Sequence, residues 1–242
     1  MKTLLLAGGL GTRLRPLTEH TPKPLVSIAG KPLLQYHLQH LAKFGFNNIL
    51  INTHYLPEKI DQFVHDYQTS HPEINLKTSF EPELLGSAGT LRSNKDFFAD
   101  EDDFLIVYGD NLTDINYQKL FSIHKEKPAL VTIASYYEEN IGQKGAIETD
   151  SESRISRFVE KPKPGESDSN QANAGIYIIN SKIFEYLDKL DDKPLDFGHH
   201  VFPYLLRESQ GLYTYNMTEN LLDIGTVDTY NKSQELIKKM SF

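Results

Sequence analysis

A compact apolar run from Thr3 to Ala7 stops at a glycine cluster, the pattern of a buried parallel strand that feeds a phosphate loop. From Lys31 to Phe44 the period changes to helical. Leu34, Leu38 and Leu41 share one face, and Gly45 is placed to end that helix in a left-handed cap. A strand is expected over Asn48 to Thr53. Pro57 then opens a second helix, whose apolar side carries Ile60, Phe63, Val64 and Tyr67. Further strands are expected at Leu76 to Glu81, Phe104 to Gly109 and Ala129 to Tyr136, with helices around Leu91 to Phe98 and Tyr117 to Lys125. This alternation is that of a doubly wound α/β sheet.

After Tyr137 the pieces shorten. Strands are expected at Gly145 to Thr149, Ile155 to Glu160, Gly175 to Ile179 and Leu212 to Asn216, with helices at Lys182 to Leu190 and Val227 to Met240. No internal repeat is visible. The 242 residues, 39% of them hydrophobic, suffice for a real core and fit one domain.

Charge narrows the partners. A net charge of −8 argues against a broad surface for nucleic acid or anionic membrane, while a local basic pocket for a small anion stays open. With no cysteine there is no disulfide framework and no thiolate chemistry, and the apolar stretch at the start is too short for a signal peptide. Cytoplasm is the expected compartment, and the sequons at Asn111 and Asn216 read as chance matches.

The stretch AGGLGTRLRP joins three glycines to Arg13 and Arg15, with Lys23 close behind. Glycine lets backbone amides approach phosphate oxygens, and the cations supply charge. A dinucleotide fingerprint needs glycine where Leu14 stands, and a Walker loop needs Gly-Lys-Ser/Thr; both are excluded. Taken alone, the loop fits a tight turn with solvated arginines equally well.

The loop is followed by PKPL at Pro22 to Leu25. The whole stretch LLLAGGLGTRLRPLTEHTPKPLVSIAGKPLL resembles the amino-terminal signature of sugar nucleotidyltransferases. The resemblance continues in EPELLGSAGTL at Glu81 to Leu91, VYGDN at Val107 to Asn111, FVEKP at Phe158 to Pro162, NAGIY at Asn173 to Tyr177 and DIGT at Asp223 to Thr226. It implies one catalytic domain over 1–242, with a doubly wound, Rossmann-like mixed sheet flanked by helices. A nucleotide-binding half would run to about residue 115, and a smaller mixed β part in the second half would bind the sugar.

The implied reaction joins a nucleoside triphosphate to a sugar 1-phosphate and releases pyrophosphate. It needs no protein nucleophile, because a phosphate monoester is already largely dianionic at neutral pH. The work is electrostatic. By resemblance Arg13 faces the β and γ phosphates, Lys23 the α phosphate and Lys161 the sugar phosphate. Asp110 and Asp223, each expected at a strand end, form a carboxylate pair suited to Mg²⁺. Ala7, Gly8, Gly9, Gly11 and Thr12 would line the triphosphate; Glu81, Gly86 and Ser87 the base; Gly145, Glu160 and Asn173 the sugar. Two histidine pairs, His37 with His40 and His199 with His200, lack zinc spacing with a third ligand and read as surface or packing residues.

Guanine offers two donors on its pairing edge, which suits a carboxylate at Glu81, with Glu83 a second choice. LGSAG resembles the segment of mannose-1-phosphate guanylyltransferases, whereas GDN at Gly109 to Asn111 is common in thymidylyltransferases, and Leu222 stands where many relatives carry Trp. GTP with mannose 1-phosphate or a related sugar phosphate is therefore the expected pair. Thymidylyl or uridylyl transfer and a non-catalytic nucleotide-sugar sensor are the alternatives. The sequence ends soon after its last helix, without the β-helix of longer members, and reads as a bare catalytic domain open to homo-oligomerisation.

Overall fold

A computed structural model describes all 242 residues. In chain order the strands and helices are β1 (Lys2–Leu6), β2 (Ser27–Ile28), β3 (Lys31–Pro32), α1 (Leu33–Lys43), β4 (Asn48–Thr53), α2 (Pro57–Ser70), β5 (Asn75–Phe80), α3 (Ser87–Ser93), β6 (Asp103–Tyr108) and β7 (Asn111–Thr113). They continue with α4 (Tyr117–Glu126), β8 (Val131–Tyr137), β9 (Gly145–Thr149), β10 (Ile155–Glu160), β11 (Gln171–Asn180), α5 (Ile183–Leu187), α6 (Phe202–Arg207), β12 (Leu212–Asn216), β13 (Leu221–Asp223) and α7 (Val227–Leu236). The fold is α/β, a mixed sheet flanked by helices.

Several boundaries differ from the pattern-based expectation for local reasons. Pro32 is extended, at ψ 142°, so α1 begins at Leu33 rather than Lys31. The helix expected over Leu91 to Phe98 starts earlier, at Ser87, and breaks at Asn94, whose side chain donates to Thr90 O at 2.8 Å. A separate 3₁₀ turn then covers Lys95–Phe98. The helices expected to reach Leu190 and Met240 stop at Leu187 and Leu236. Gly45 takes the expected left-handed conformation, φ 80°, and Phe46 N closes onto Leu41 O at 3.0 Å.

The residues form two compact units. One comprises 1–84, 107–115 and 219–242; the other comprises 85–106 and 116–218. In the first, β1, β4 and β5 are parallel, with Leu6 opposite Asn52 and Thr53 opposite Phe80. On the other side of β1, Gly109 N donates to Leu6 O at 2.8 Å, so the end of β6 runs along the end of β1. Chain order thus reverses at the carboxyl end of β1, which is where open α/β sheets bind ligands. Leu14, Ile28, Leu33, Tyr36, Leu112 and Ile224 form a buried cluster against which Tyr230, Ile237 and Phe242 pack. The carboxy-terminal segment, from α7 through the turn after it to Phe242, therefore packs on the loop region of its own unit.

In the second unit β11 pairs antiparallel with β8, β8 pairs parallel with β12, and β9 pairs antiparallel with β10. Its core is aromatic: Tyr177, Phe197 and Phe202 meet at centroid distances of 5.1 to 5.6 Å, and Phe158 lies on Phe202 at 5.1 Å. Such contacts add to the gain from burying the rings.

Candidate functional site

In the first unit the glycine loop leaves β1 and is held at three points. Ala7 N and Gly8 N donate to Asn52 Oδ1 at 2.7 and 3.2 Å. Gly11, at φ 62°, caps the 3₁₀ turn Thr12–Leu14 and accepts from Thr18 Oγ1 at 2.7 Å. Leu14, 1% exposed, anchors the turn in the buried cluster, which accounts for an apolar residue where a dinucleotide loop has glycine. Between these holds, the amides of Gly9 through Arg13 donate to no protein acceptor. Successive amides left without a protein acceptor on a surface loop are the donors from which an anion-binding concavity is built.

Around this loop stand the charged groups singled out from sequence. Lys23 opens a 3₁₀ turn between Pro22 and Val26 and is 7% exposed; its ammonium donates to Asp110 Oδ2 at 3.1 Å. Asp110 lies in the turn between β6 and β7, its side chain 43% exposed. The ribbon of β7 and β13 sets Asp223 opposite Asn111, and Ile224 N donates to Asp110 O at 3.0 Å. The two aspartates thus leave neighbouring strands at adjoining positions. A Cβ added to Gly225 would fall 3.0 Å from Asp223 Oδ1 and 3.1 Å from Arg13 Nη2, so carboxylate and guanidinium flank this glycine. The structure brings Arg13, Lys23, Asp110 and Asp223 together.

Asp110 and Asp223 are the residues that would hold a Mg²⁺ ion, which prefers oxygen donors and is often bound by one or two carboxylates with phosphates and water. No group of three or more His, Cys, Asp or Glu side chains is placed to hold a metal by itself. His37, behind Asp110, is fully buried. Burial, and then the neighbouring His40, push its imidazole down to about 4, so it is neutral at neutral pH.

The base-reading candidates are differently placed. Glu81 is 2% exposed and accepts from Asn52 Nδ2 at 3.0 Å, so its carboxylate sits beneath the loop rather than on an open surface. Gly86, in the second unit, has φ 80°, and a Cβ there would lie 2.4 Å from Leu195 O: glycine is needed for this close approach. Ser87 Oγ donates to Asp196 Oδ2 at 2.7 Å and accepts from Phe197 N at 3.0 Å.

The sugar candidates gather in the second unit. Glu160 ends β10 directly opposite Gly145 at the start of β9. A Cβ on Gly145 would lie 2.6 Å from Phe158 Cζ, 2.9 Å from Glu160 Oε2 and 3.2 Å from Asn173 Cβ, so the three expected residues adjoin. No protein donor reaches the Glu160 carboxylate within hydrogen-bonding distance. Burial, and then the charge of Asp196, raise its pKa. Asn173 is engaged locally, donating to Tyr177 Oη at 2.9 Å and accepting from Gly175 N at 2.9 Å across the irregularity in β11. Lys161 adopts φ 52°, a strained backbone for a non-glycine residue, while its ammonium makes no ion pair.

These motifs have counterparts along the whole chain. A family model described as nucleotidyl transferase matches residues 2–240. The chain belongs to the nucleotidyl transferase family. It is 34% identical to a UTP–glucose-1-phosphate uridylyltransferase of Synechocystis sp. over 95% of its own length and 61% of that protein. It is 35% identical to a mannose-1-phosphate guanyltransferase of Schizosaccharomyces pombe over 95% of its length and 62% of that protein. The chain thus spans less than two thirds of the curated relatives it matches. A crystal structure from Bacillus anthracis, described as a candidate glucose-1-phosphate thymidylyltransferase with sucrose, superposes with a TM-score of 0.87 at 22% identity, covering 100% of this chain and 97% of that one. That likeness concerns the fold.

Within this nucleotidyl transferase fold, sequence reasoning missed Asn52 and the segment Asp196 to His199. Asn52 is an internal strand residue with no motif around it, and its role shows only through the register Leu6 opposite Asn52. Phe197–Val201 is a π-helical turn capped by Asp196, which accepts from Gly198 N and His199 N. A Cβ on Gly198 would lie 2.5 Å from Glu160 Oε2, so this turn walls the carboxylate. A glycine before two histidines was the only signal.

Proposed function

We propose that this chain transfers a nucleotidyl group from a nucleoside triphosphate to a sugar 1-phosphate. The observation that carries the reading is the unpaired run of amides at residues 9–13, set at the switch point of the first unit beside Lys23, Asp110, Asp223 and Arg13. The amides and Arg13 bind the β and γ phosphates, and Lys23 meets charge developing at the α phosphate. Asp110 and Asp223 would hold Mg²⁺, which when bound neutralises phosphate charge. In the second unit Lys161 holds the phosphate of the sugar and Glu160 accepts from its hydroxyls, with Gly145 leaving room and Asn173 shaping the strand. A sugar phosphate oxygen attacks the α phosphorus, the bond from that phosphorus to the bridging oxygen breaks, and the electron pair leaves on pyrophosphate.

GTP with mannose 1-phosphate or a related sugar phosphate is the preferred pair. The resemblance of LGSAG and the guanyltransferase relatives support it; the buried position of Glu81 lends it nothing. Uridylyl transfer is the second reading, favoured by the Synechocystis relative of similar identity. Pyrophosphate release with Mg²⁺ across a panel of nucleoside triphosphates and sugar 1-phosphates tests both. Turnover with GTP above UTP and dTTP is expected. A preference for UTP or dTTP overturns the base assignment, and no turnover with any pair overturns the enzyme.

A further inference from the structure

The amides of Ala7 and Gly8 open the loop that reads as the triphosphate site, yet both are committed to protein. They point to Asn52 Oδ1, at 2.7 and 3.2 Å, and Asn52 is 4% exposed. On its other side Asn52 Nδ2 donates to Glu81 Oε1 at 3.0 Å. Two donors face the carbonyl and a carboxylate faces the amino group, so the side chain has one orientation that satisfies both. Glu81 is fixed in turn: its N donates to Thr53 O at 2.8 Å, and its carbonyl meets His54 Nδ1 at 2.8 Å. Gly8 closes the arrangement, since a Cβ there would lie 2.7 Å from Asn52 Nδ2.

We infer that Asn52 is a positioning residue: with Glu81 behind it, it turns the chain out of β1 at Ala7 and Gly8, so that the amides from Gly9 onward face the ligand. The hydrogen-bonded chain from Glu81 through Asn52 to the loop assigns Glu81 to holding the phosphate grip rather than to reading the base. This rests on the loop being the triphosphate site, but the geometry can be tested without turnover.

Amide hydrogen exchange of the unliganded protein comes first. Ala7 and Gly8 are expected to be protected while residues 9–13 exchange fast, and Asn52→Leu is expected to remove that protection. Fast exchange at Ala7 and Gly8 in the wild type overturns the inference. Kinetics come second, once the wild type turns over a triphosphate; failure there sinks the functional reading alone. Asn52→Leu is expected to raise KM for the triphosphate about 10- to 100-fold with KM for the sugar 1-phosphate within about threefold. Asn52→Asp keeps the acceptor but sets two carboxylates together, and the double variant Asn52→Asp, Glu81→Gln restores the bond with its donor reversed. If Asn52→Leu does not fold, this pair carries the test. Recovery of most of the triphosphate KM in the double variant is expected. A double variant no better than Asn52→Asp, equal effects on both KM values, or a Glu81→Gln single variant that changes base preference and leaves triphosphate KM alone would each overturn it.

Discussion

Strand β6 begins with one aspartate and is followed, two residues past its end, by another, and the two have opposite fates. Asp103, in the second unit, has a side chain only 5% exposed, and it is saturated: it accepts from Asn180 Nδ2 at 2.8 Å and His124 Nε2 at 3.2 Å, and Lys125 Nζ pairs with its second oxygen. His124 is itself fixed by Thr132 Oγ1 at 2.9 Å. Asp110, in the first unit, is 43% exposed and receives Lys23 from one side. A buried carboxylate is tolerable only when protein donors replace water. One kept at a loop-lined surface retains capacity to accept from, or coordinate, a ligand. The contrast separates structure from function more cleanly than motif membership does.

The contrast breaks if the two aspartates can exchange roles. The largest expected effect is on the functional side. Lys23→Ala and Asp110→Ala should each lower kcat by about 10²- to 10³-fold, with melting temperature close to wild type. Asp103→Ala should do the reverse, costing about 3 kcal/mol of stability by orphaning the buried donors, while the folded fraction keeps a near-normal kcat. Urea denaturation with steady-state kinetics on the same preparations decides. A stable Asp103→Ala protein without activity would void the distinction.

Acid titration sharpens the Asp103 half. Burial works to raise the pKa of this carboxyl, but the bonds from Lys125 and Asn180 and the charge and bond of His124 outweigh it and hold the group below its ordinary range. The folded value lies below the unfolded one. The resulting stabilisation is present above about pH 4 and disappears as pH falls through the folded value. Between pH 7 and pH 3 the stability gap between wild type and Asp103→Asn should therefore narrow, and a constant gap in urea melts would contradict the saturated-carboxylate account.

The same division governs what the sequence revealed. Parallel strands and amphipathic helices were legible because burial imposes runs and periods, as in β1 and in the α2 face of Ile60, Val64 and Tyr67. Lys23, Arg13, Asp110 and Asp223 were legible as charged residues in motifs, and the fold brings them together. Three-residue strands such as β7 and β13 were not, because a period of two needs more repeats to show, yet their register is what sets Asp223 beside Asp110. Asn52 escaped for a related reason. Its partners Ala7, Gly8 and Glu81 lie 45, 44 and 29 residues away, and only the pairing of β4 with β1 on one side and with β5 on the other makes them neighbours.

A middle-sized effect should appear around the second unit's carboxylate. Gly198→Ala places a Cβ 2.5 Å from Glu160 Oε2, and the end of that flexible side chain must move. We expect KM for the sugar 1-phosphate to rise about tenfold, in keeping with a displaced charged hydrogen bond, with KM for the triphosphate unchanged. Equal changes in both would point to a disturbed fold rather than a shifted Glu160.

The smallest effect is the most diagnostic, because it has the opposite sign to ordinary damage. Glu160 lacks the donors that Asp103 enjoys. Burial and then the charge of Asp196 lift its pKa, so the folded protein disfavours its ionised form. The folded value lies above the unfolded one of about 4.3, so ionisation costs stability as pH rises through that interval and the cost persists at neutral pH. Glu160→Gln removes the charge and should melt about 2 °C higher than wild type at pH 7.5, the gain fading below about pH 4. The same substitution should weaken use of the sugar 1-phosphate about tenfold or more, because a carboxylate that is costly to the apo protein is the one a sugar's hydroxyls repay. A Gln variant that melts lower at pH 7.5, or that keeps its sugar phosphate KM, would mean that Glu160 belongs with Asp103 as a structural carboxylate and not with Asp110.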